Sequence, residues 1–247
     1  MAIEIRTPAF AQSQEKKKAL QPLCLFDILK FEKTEKRQIA IVGGKGFRFP
    51  TNAENPVYKT AARLHRRAPG KCGVRITIQK NSPPGKGLGS WASASAGALL
   101  ALNRLWALGL SDAELAGIAR GLDPSVGEIL KIHSGLAKPK KSELGQWAIV
   151  VTPRLIEIDR DWIRKWASRG KLPFQTVAEN RFPDLAMIRK SLAEAGWGRV
   201  RMGGMGPAIL GFSEKGVGVA KIPKSIRSKL DFIWIGKACG ASFKLLD

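Results

Sequence analysis

The stretch IQKNSPPGKGLGSWASASAGALLALNRLW, residues 78–106, decides how the whole chain is read. It leaves an alternating strand, passes through a loop where Gly85, Gly87 and Gly89 are interleaved with Lys86, Leu88 and Ser90, and runs at once into a long apolar segment. A strand, a glycine-rich loop and a helix in that order aim free backbone N–H groups and the positive helix end at one point, which suits a phosphate. Glycine lets the backbone come close to such an anion. Lys86 adds a positive charge, and Ser90 and Ser93 offer hydroxyls to phosphate or to a magnesium ion. The same pattern also describes a flexible turn before a buried helix. Its spacing is neither GxxxxGK[ST] nor a GxGxxG opening a parallel βαβ unit, so the folds those motifs mark are not indicated.

On the N-terminal side of the loop, residues 74–79 alternate apolar and polar side chains, which places one face of a strand on a core. Residues 53–66 carry apolar side chains at helical spacing until Pro69 and Gly70 stop them, and residues 20–50 read as short strands with turns at Gly43, Gly44 and Gly46. On the C-terminal side, residues 96–108 are apolar nearly all round and predict a buried helix. Ser111 and Glu114 form a capping box for a helix over residues 112–120. A second strong strand spans residues 147–152. Helices follow near 161–168 and 185–195, strands near 199–202 and 208–212, and then a basic final segment. Strands and helices interleave without a βαβ rhythm, so the expected class is α+β. A shift in composition near residue 150 predicts two lobes, residues 1–150 and 151–247.

The 247 residues, 44% of them hydrophobic, are enough for one large domain or two small ones. No run approaches the roughly 20 apolar residues a membrane span needs, and the N-terminus is charged where a signal peptide is apolar; a cytoplasmic chain without a membrane partner is expected. Cys24, Cys72 and Cys239 are odd in number and widely spaced, with only His65 and His133 as further soft ligands, so neither a disulfide nor a metal held by the chain is expected. A formal charge of +22, from 42 Lys and Arg against 20 Asp and Glu, attracts polyanions, nucleic acid or a nucleotide among them. The basic residues are spread along the chain, with Lys16, Lys17 and Lys18 the only tight run, and a solvated basic surface explains them equally.

The block from Ile78 through the helix after Ser111 resembles the GHMP small-molecule kinases, and within them the 4-diphosphocytidyl-2-C-methyl-D-erythritol kinase family of isoprenoid precursor synthesis, whose loop reads approximately PxGxGLGGGSSxAA and leads into a helix containing LNxLW. Gly87-Leu88-Gly89 and Leu102-Asn103-Arg104-Leu105-Trp106 match without a gap. IRTPAFA resembles the family's first strand, LQPLCLFDILKFEK its second and third, ENPVYKTAARL its next helix, and FPDLAMIRKSLAEAGWGRVRMGGMGPAILGF the segment that ends in its MSGSGSTVFG loop. The resemblance implies a two-lobed fold, with an N-terminal lobe like ribosomal protein S5 domain 2, a ferredoxin-like C-terminal lobe and an active site between them. It implies ATP and Mg2+ as cofactors and a phosphorylated or diphosphocytidyl alcohol as acceptor. By position, Gly85, Lys86, Gly87, Leu88, Gly89, Ser90 and Ser93 occupy the nucleotide loop, and Gly204 and Gly206 the C-terminal glycine turn.

The resemblance thins where the chemistry lies. The family's catalytic Asp, from a GADVPFF segment, falls on Ser125 in GLDPSVGEIL, and a two-residue shift brings Asp123 into register. Asp123 before Pro124 also reads as a simple helix cap. The Lys of the family's AKxN motif falls on Gln12 and its Asn on Gln14; the DGYH stretch that holds the cytidine end is missing, and Trp91 and Ala92 replace Gly and Ser. Two functions from different classes follow: an ATP-dependent kinase with impaired or altered catalysis, and an inactive pseudokinase that binds nucleotide or RNA.

Overall fold

The computed structural model describes residues 1–12, 20–70, 72–134, 146–169, 172–239 and 244–246. Lys16, Lys17, Lys18 and Gln14 lie outside the described residues. Strands β1 (Ala2–Gln12), β2 (Leu20–Thr34) and β3 (Ile39–Gly46) come first, then α1 (Pro56–His65), β4 (Gly73–Lys80), α2 (Ser90–Leu105), α3 (Asp112–Arg120) and α4 (Pro124–His133). The second part holds β5 (Trp147–Pro153), α5 (Arg160–Arg169), α6 (Phe174–Arg181), α7 (Pro183–Glu194), β6 (Gly198–Met202), β7 (Ile209–Ser213), the short α8 (Lys224–Arg227), β8 (Leu230–Lys237) and β9 (Lys244–Leu246).

The strands form two sheets. The first has the order β3-β4-β2-β1-β9 and the second β6-β7-β5-β8. All pairings are antiparallel except β3 with β4. The fold is thus α+β and two-lobed, and β9 crosses back to the first sheet by pairing with residues 4–6 of β1.

Alternation decides which face meets what. Ile3 and Ile5 of β1 point into a core shared with Leu29 and Phe31 of β2, Ile76 and Ile78 of β4, and helices α1 to α4. A register shift at Pro8/Ala9 then slips the period of two by one residue. Phe10 therefore joins the same core as Ile5, while Ala9 and Ala11 turn to the opposite face. There they meet Leu23, Leu25, Ala148, Val150, Leu210 and Phe212 in an apolar layer between the sheets. The far face of the second sheet packs Ile149, Val151 and Ile209 on Leu185, Ile188 and Leu192 of α7.

Helix α1 starts where Asn55 accepts from the Val57 N–H at 2.8 Å, with Pro56 at its first position. The Ser111–Glu114 capping box is formed as the sequence predicts. Residues 20–34 make one long strand instead of several short ones, and Gly43, Gly44 and Gly46 lie in β3. The expectation of no disulfide is corrected: Cys24 of β2 and Cys239 beyond β8 are joined, with Cα atoms 5.4 Å apart. The backbone brings them together, since Cys239 N–H donates to the Pro22 carbonyl at 2.8 Å and Gln21 donates to the Cys239 carbonyl at 3.0 Å. Spacing and number in a sequence do not carry that proximity. Among the described residues no helix is long and apolar enough to cross a membrane.

Candidate nucleotide site

Strand β4 ends at Lys80, residues 81–89 form the loop, and Ser90 opens α2. Gly89 is the N-cap at φ 59°, a left-handed conformation, and no side chain caps the helix. The first-turn N–H groups and the positive end of the helix are thus left for an anion. Deeper in that turn the Ser93 hydroxyl is buried and has no hydrogen-bond partner among the described residues. An orphaned buried hydroxyl below an uncapped helix end fits a phosphate ligand.

The loop is wedged between the two lobes. Phe10 N–H donates to the Leu88 carbonyl at 2.7 Å, which fastens the loop to β1. On the other side the Ala208 N–H donates to the Lys86 carbonyl at 3.1 Å. Gly87 lies so close to the Gly203–Gly206 turn that a Cβ on it would overlap the Gly203 carbonyl, and a Cβ on Gly206 would overlap the Lys86 backbone. Gly204 and Gly206 are both buried in this contact. The structure therefore brings the glycine loop and the C-terminal glycine turn together.

Two expected phosphate ligands are engaged elsewhere. The Lys86 ammonium donates to the Ile156 carbonyl at 3.3 Å, across to the second lobe. The Ser90 hydroxyl accepts from Lys80 at 2.9 Å. Lys80 is wholly buried, and its three ammonium donors go to Asp27, to Ser82 Oγ at 2.6 Å and to Ser90. Asp27 in turn accepts from the backbone N–H groups of Asn81 and Ser82, each at 2.9 Å. Loss of water pushes the Lys80 ammonium below the ordinary lysine range, against the Asp27 charge that pulls it up. Trp91 stands beside this cluster, its ring centroid 4.9 Å from the Lys80 ammonium and 5.6 Å from that of Phe49. The bulk of the indole is accommodated at the first turn of α2.

Asp123 is exposed and caps α4, its carboxylate accepting from the Ser125 N–H at 2.7 Å. Among the described residues no hydrogen bond or ion pair joins it to residues 81–89. His65 bonds the Cys72 carbonyl at 2.8 Å and packs on Trp106, which is core; the His133 side chain lies outside the described residues.

Sequence reasoning passed over Phe10, Asp27, Lys80 and Ser82. A signal was available. Lys80 has the parity of Val74, Ile76 and Ile78, and Asp27 that of Leu29 and Phe31, so strict alternation buries both on adjacent strands. As for magnesium, residues 83–97 contain no carboxylate, and among the described residues no group of three or more His, Cys, Asp or Glu could hold a metal. The donor set fits a magnesium ion carried on nucleotide phosphates with the Ser93 hydroxyl near it, not one held by the chain alone.

Comparison with known proteins agrees with this fold. A profile of the GHMP kinases N terminal domain matches residues 55–130, from the cap of α1 into α4. The 4-diphosphocytidyl-2-C-methyl-D-erythritol kinase of Latilactobacillus sakei subsp. sakei (strain 23K) is 27% identical over 220 residues, 76% of this chain and 77% of that protein. The protein of the same name from Moorella thermoacetica (strain ATCC 39073 / JCM 9320) is 26% identical over 243 residues, 84% of each. Among solved structures, a 4-(cytidine 5'-diphospho)-2C-methyl-D-erythritol kinase superposes with a TM-score of 0.68 at 22% identity, covering 98% of this chain and 100% of that one. A homoserine kinase from Cytophaga hutchinsonii gives 0.71 at 16%, covering 99% and 97%. Its two-lobed fold is that of the GHMP kinases, its residues 55–130 match their N-terminal domain, and over most of its length the chain is similar to the 4-diphosphocytidyl-2-C-methyl-D-erythritol kinases.

Proposed function

We propose that the chain binds ATP with its phosphates over residues 85–90 and passes a phosphoryl group to a phosphorylated or diphosphocytidyl alcohol, at a rate far below that of its relatives. The observation that carries this reading is the uncapped α2 terminus with the orphaned Ser93 hydroxyl beneath it. Bound ATP supplies the phosphoryl group, and Mg2+ neutralises its charge. The residues of the chain bind and orient: first-turn N–H groups and Ser93 hold phosphate oxygens, whereas Asp123, the carboxylate expected as base, is spent on capping α4, a further reason for slow turnover.

Slow turnover follows from what surrounds the loop. Phe10 is fully buried in the apolar core where β1 meets the loop, and Gln12 carries no charge to stabilise a developing phosphoryl transition state. Lys86 is committed to Ile156. Loss of one electrostatic stabiliser commonly costs on the order of 10² to 10³ in rate. The engagement of Lys86 and Ser90 within the protein also favours a second reading, a pseudokinase that binds nucleotide without transferring phosphate.

Calorimetric titration with ATP and Mg2+, followed by a phosphotransfer assay on the diphosphocytidyl alcohol, tests both. Binding with turnover reduced by at least two orders of magnitude is the expected result. Binding without any transfer selects the pseudokinase. Ordinary turnover refutes impairment, and absence of binding refutes the nucleotide site.

A further inference from the structure

A cavity of about 590 Å³ lies beside α1 and the turn between α3 and α4, lined by Ala53, Tyr58, Lys59, Ala62, Arg63, Arg66, Gly121 and Leu122 and sharing no lining residue with the glycine loop. Three of its lining residues are cationic and none is acidic. Lys59, Arg63 and Arg66 follow one another at helical spacings of four and three, so they share one face of α1. Like charges at those spacings weaken a helix unless something offsets them. Among the described residues no carboxylate forms an ion pair with any of the three. Asp123 is committed to the Ser125 N–H and Glu114 to Ser111, and exposed Glu54, just before α1, forms no ion pair among the described residues.

Arg63 is held in place, one terminal nitrogen donating to the Gly121 carbonyl at 2.9 Å between α3 and α4. That single bond orients the guanidinium and leaves its other donors unspent, a preorganised fork of the kind that suits phosphate. Ala53, Ala62 and Leu122 supply an apolar wall, and half-buried Tyr58 adds a ring and a hydroxyl. The volume falls in the range of small-molecule sites. A concave site with three unopposed cations takes a compact polyanion better than an extended one, since all three charges converge on one volume.

We infer that this cavity is a second anion site, separate from the glycine loop, that takes a small polyphosphorylated molecule. It stands whether or not the chain binds ATP at residues 85–90.

Tyr58 is the only tyrosine of the chain, which makes the site directly observable. The full chain labelled with 3-fluorotyrosine is titrated with inorganic tripolyphosphate and followed by fluorine NMR, beside the Lys59→Ala/Arg66→Ala double variant. Both positions are exposed and alanine favours helix, so the variant keeps its fold. Saturable movement of the single fluorine signal is expected, weakened roughly ten-fold or more in the variant as two charge-assisted contacts are lost. A fluorine signal that ignores tripolyphosphate, or moves with equal affinity in both proteins, overturns the site. Dependence of RNA binding on Lys59 and Arg66 with no response to tripolyphosphate also overturns it, in favour of a nucleic-acid face. Any binding event at the glycine loop is read separately, from total stoichiometry by calorimetry.

Discussion

Gly206 shows how a single residue can hold two lobes in register. Its missing side chain is what allows the Lys86–Gly87 backbone to lie on the Gly203–Gly206 turn, because a Cβ there meets backbone atoms that have no room to yield. Gly206→Ala is therefore expected to lower stability by about 1–3 kcal/mol or more, the usual cost of overpacking. It should also weaken nucleotide binding by displacing the loop. Thermal unfolding with and without ATP measures both, and an unchanged midpoint would remove the contact from any structural role. Lys80 and Asp27 teach a different lesson at the same scale. Their parity in alternating strands was legible, yet a charged residue at a strand end reads most simply as solvated, and only the pairing of β2 with β4 brings the two charges together. Phe10 was hidden by the register shift at Pro8/Ala9, which strict alternation does not anticipate.

At the scale of elements, local chemistry carried much of the fold. The alternation of β4, the apolar surface of α2 and the capping box of α3 each announced an element, because each rests on contacts within a few residues. The start of α2 was not legible in the same way: small residues at 90–95 carry little apolar signal, and the helix begins there because Gly89 turns the chain and the close-packed core accepts only small side chains. Helix α6, eight residues long, and edge strand β8 lack a clean period and depend on tertiary packing. The α3 cap makes a pH-dependent prediction. The Ser111 N–H and hydroxyl hold the Glu114 carboxyl below the ordinary glutamate range. A carboxyl depressed in the folded state adds stability that is present above its unfolded value, about 4.3, and is lost as pH falls through the lower folded value. Amide exchange in α3 should thus quicken as pH drops through that window after correction for intrinsic rates, and Glu114→Gln should flatten the trend. Equal pH dependence in both proteins would show that the capping carboxylate contributes nothing.

The whole molecule is two sheets sharing an apolar layer and stitched by the Cys24–Cys239 bond. The two cysteines are separated by 215 positions in sequence. Closing so long a loop in the unfolded chain predicts stabilisation of about 5 kcal/mol by the chain-entropy account. Chemical denaturation of oxidised protein against Cys24→Ser should show a loss of that order, and the difference should vanish under reducing conditions. A difference that persists under reduction would point to packing at position 24 instead. The two-lobed architecture was legible because motifs recur in order along most of the chain. The bond between lobes and the basic cavity were not, since both are made by residues distant in sequence.

The pairing of β9 with β1 also bears on how the protein is made. Residues 4–6 find their outer partner only in residues 244–246. Until those are made, β1 presents a bare, hydrogen-bonding edge to whatever is nearby, the kind of edge that invites strangers to pair. The hazardous interval lasts while everything between the two strands is made, so a slowly translated message should yield more aggregate than a fast one, and a chaperone that covers extended apolar segments early should matter more than one that acts after β9 has paired.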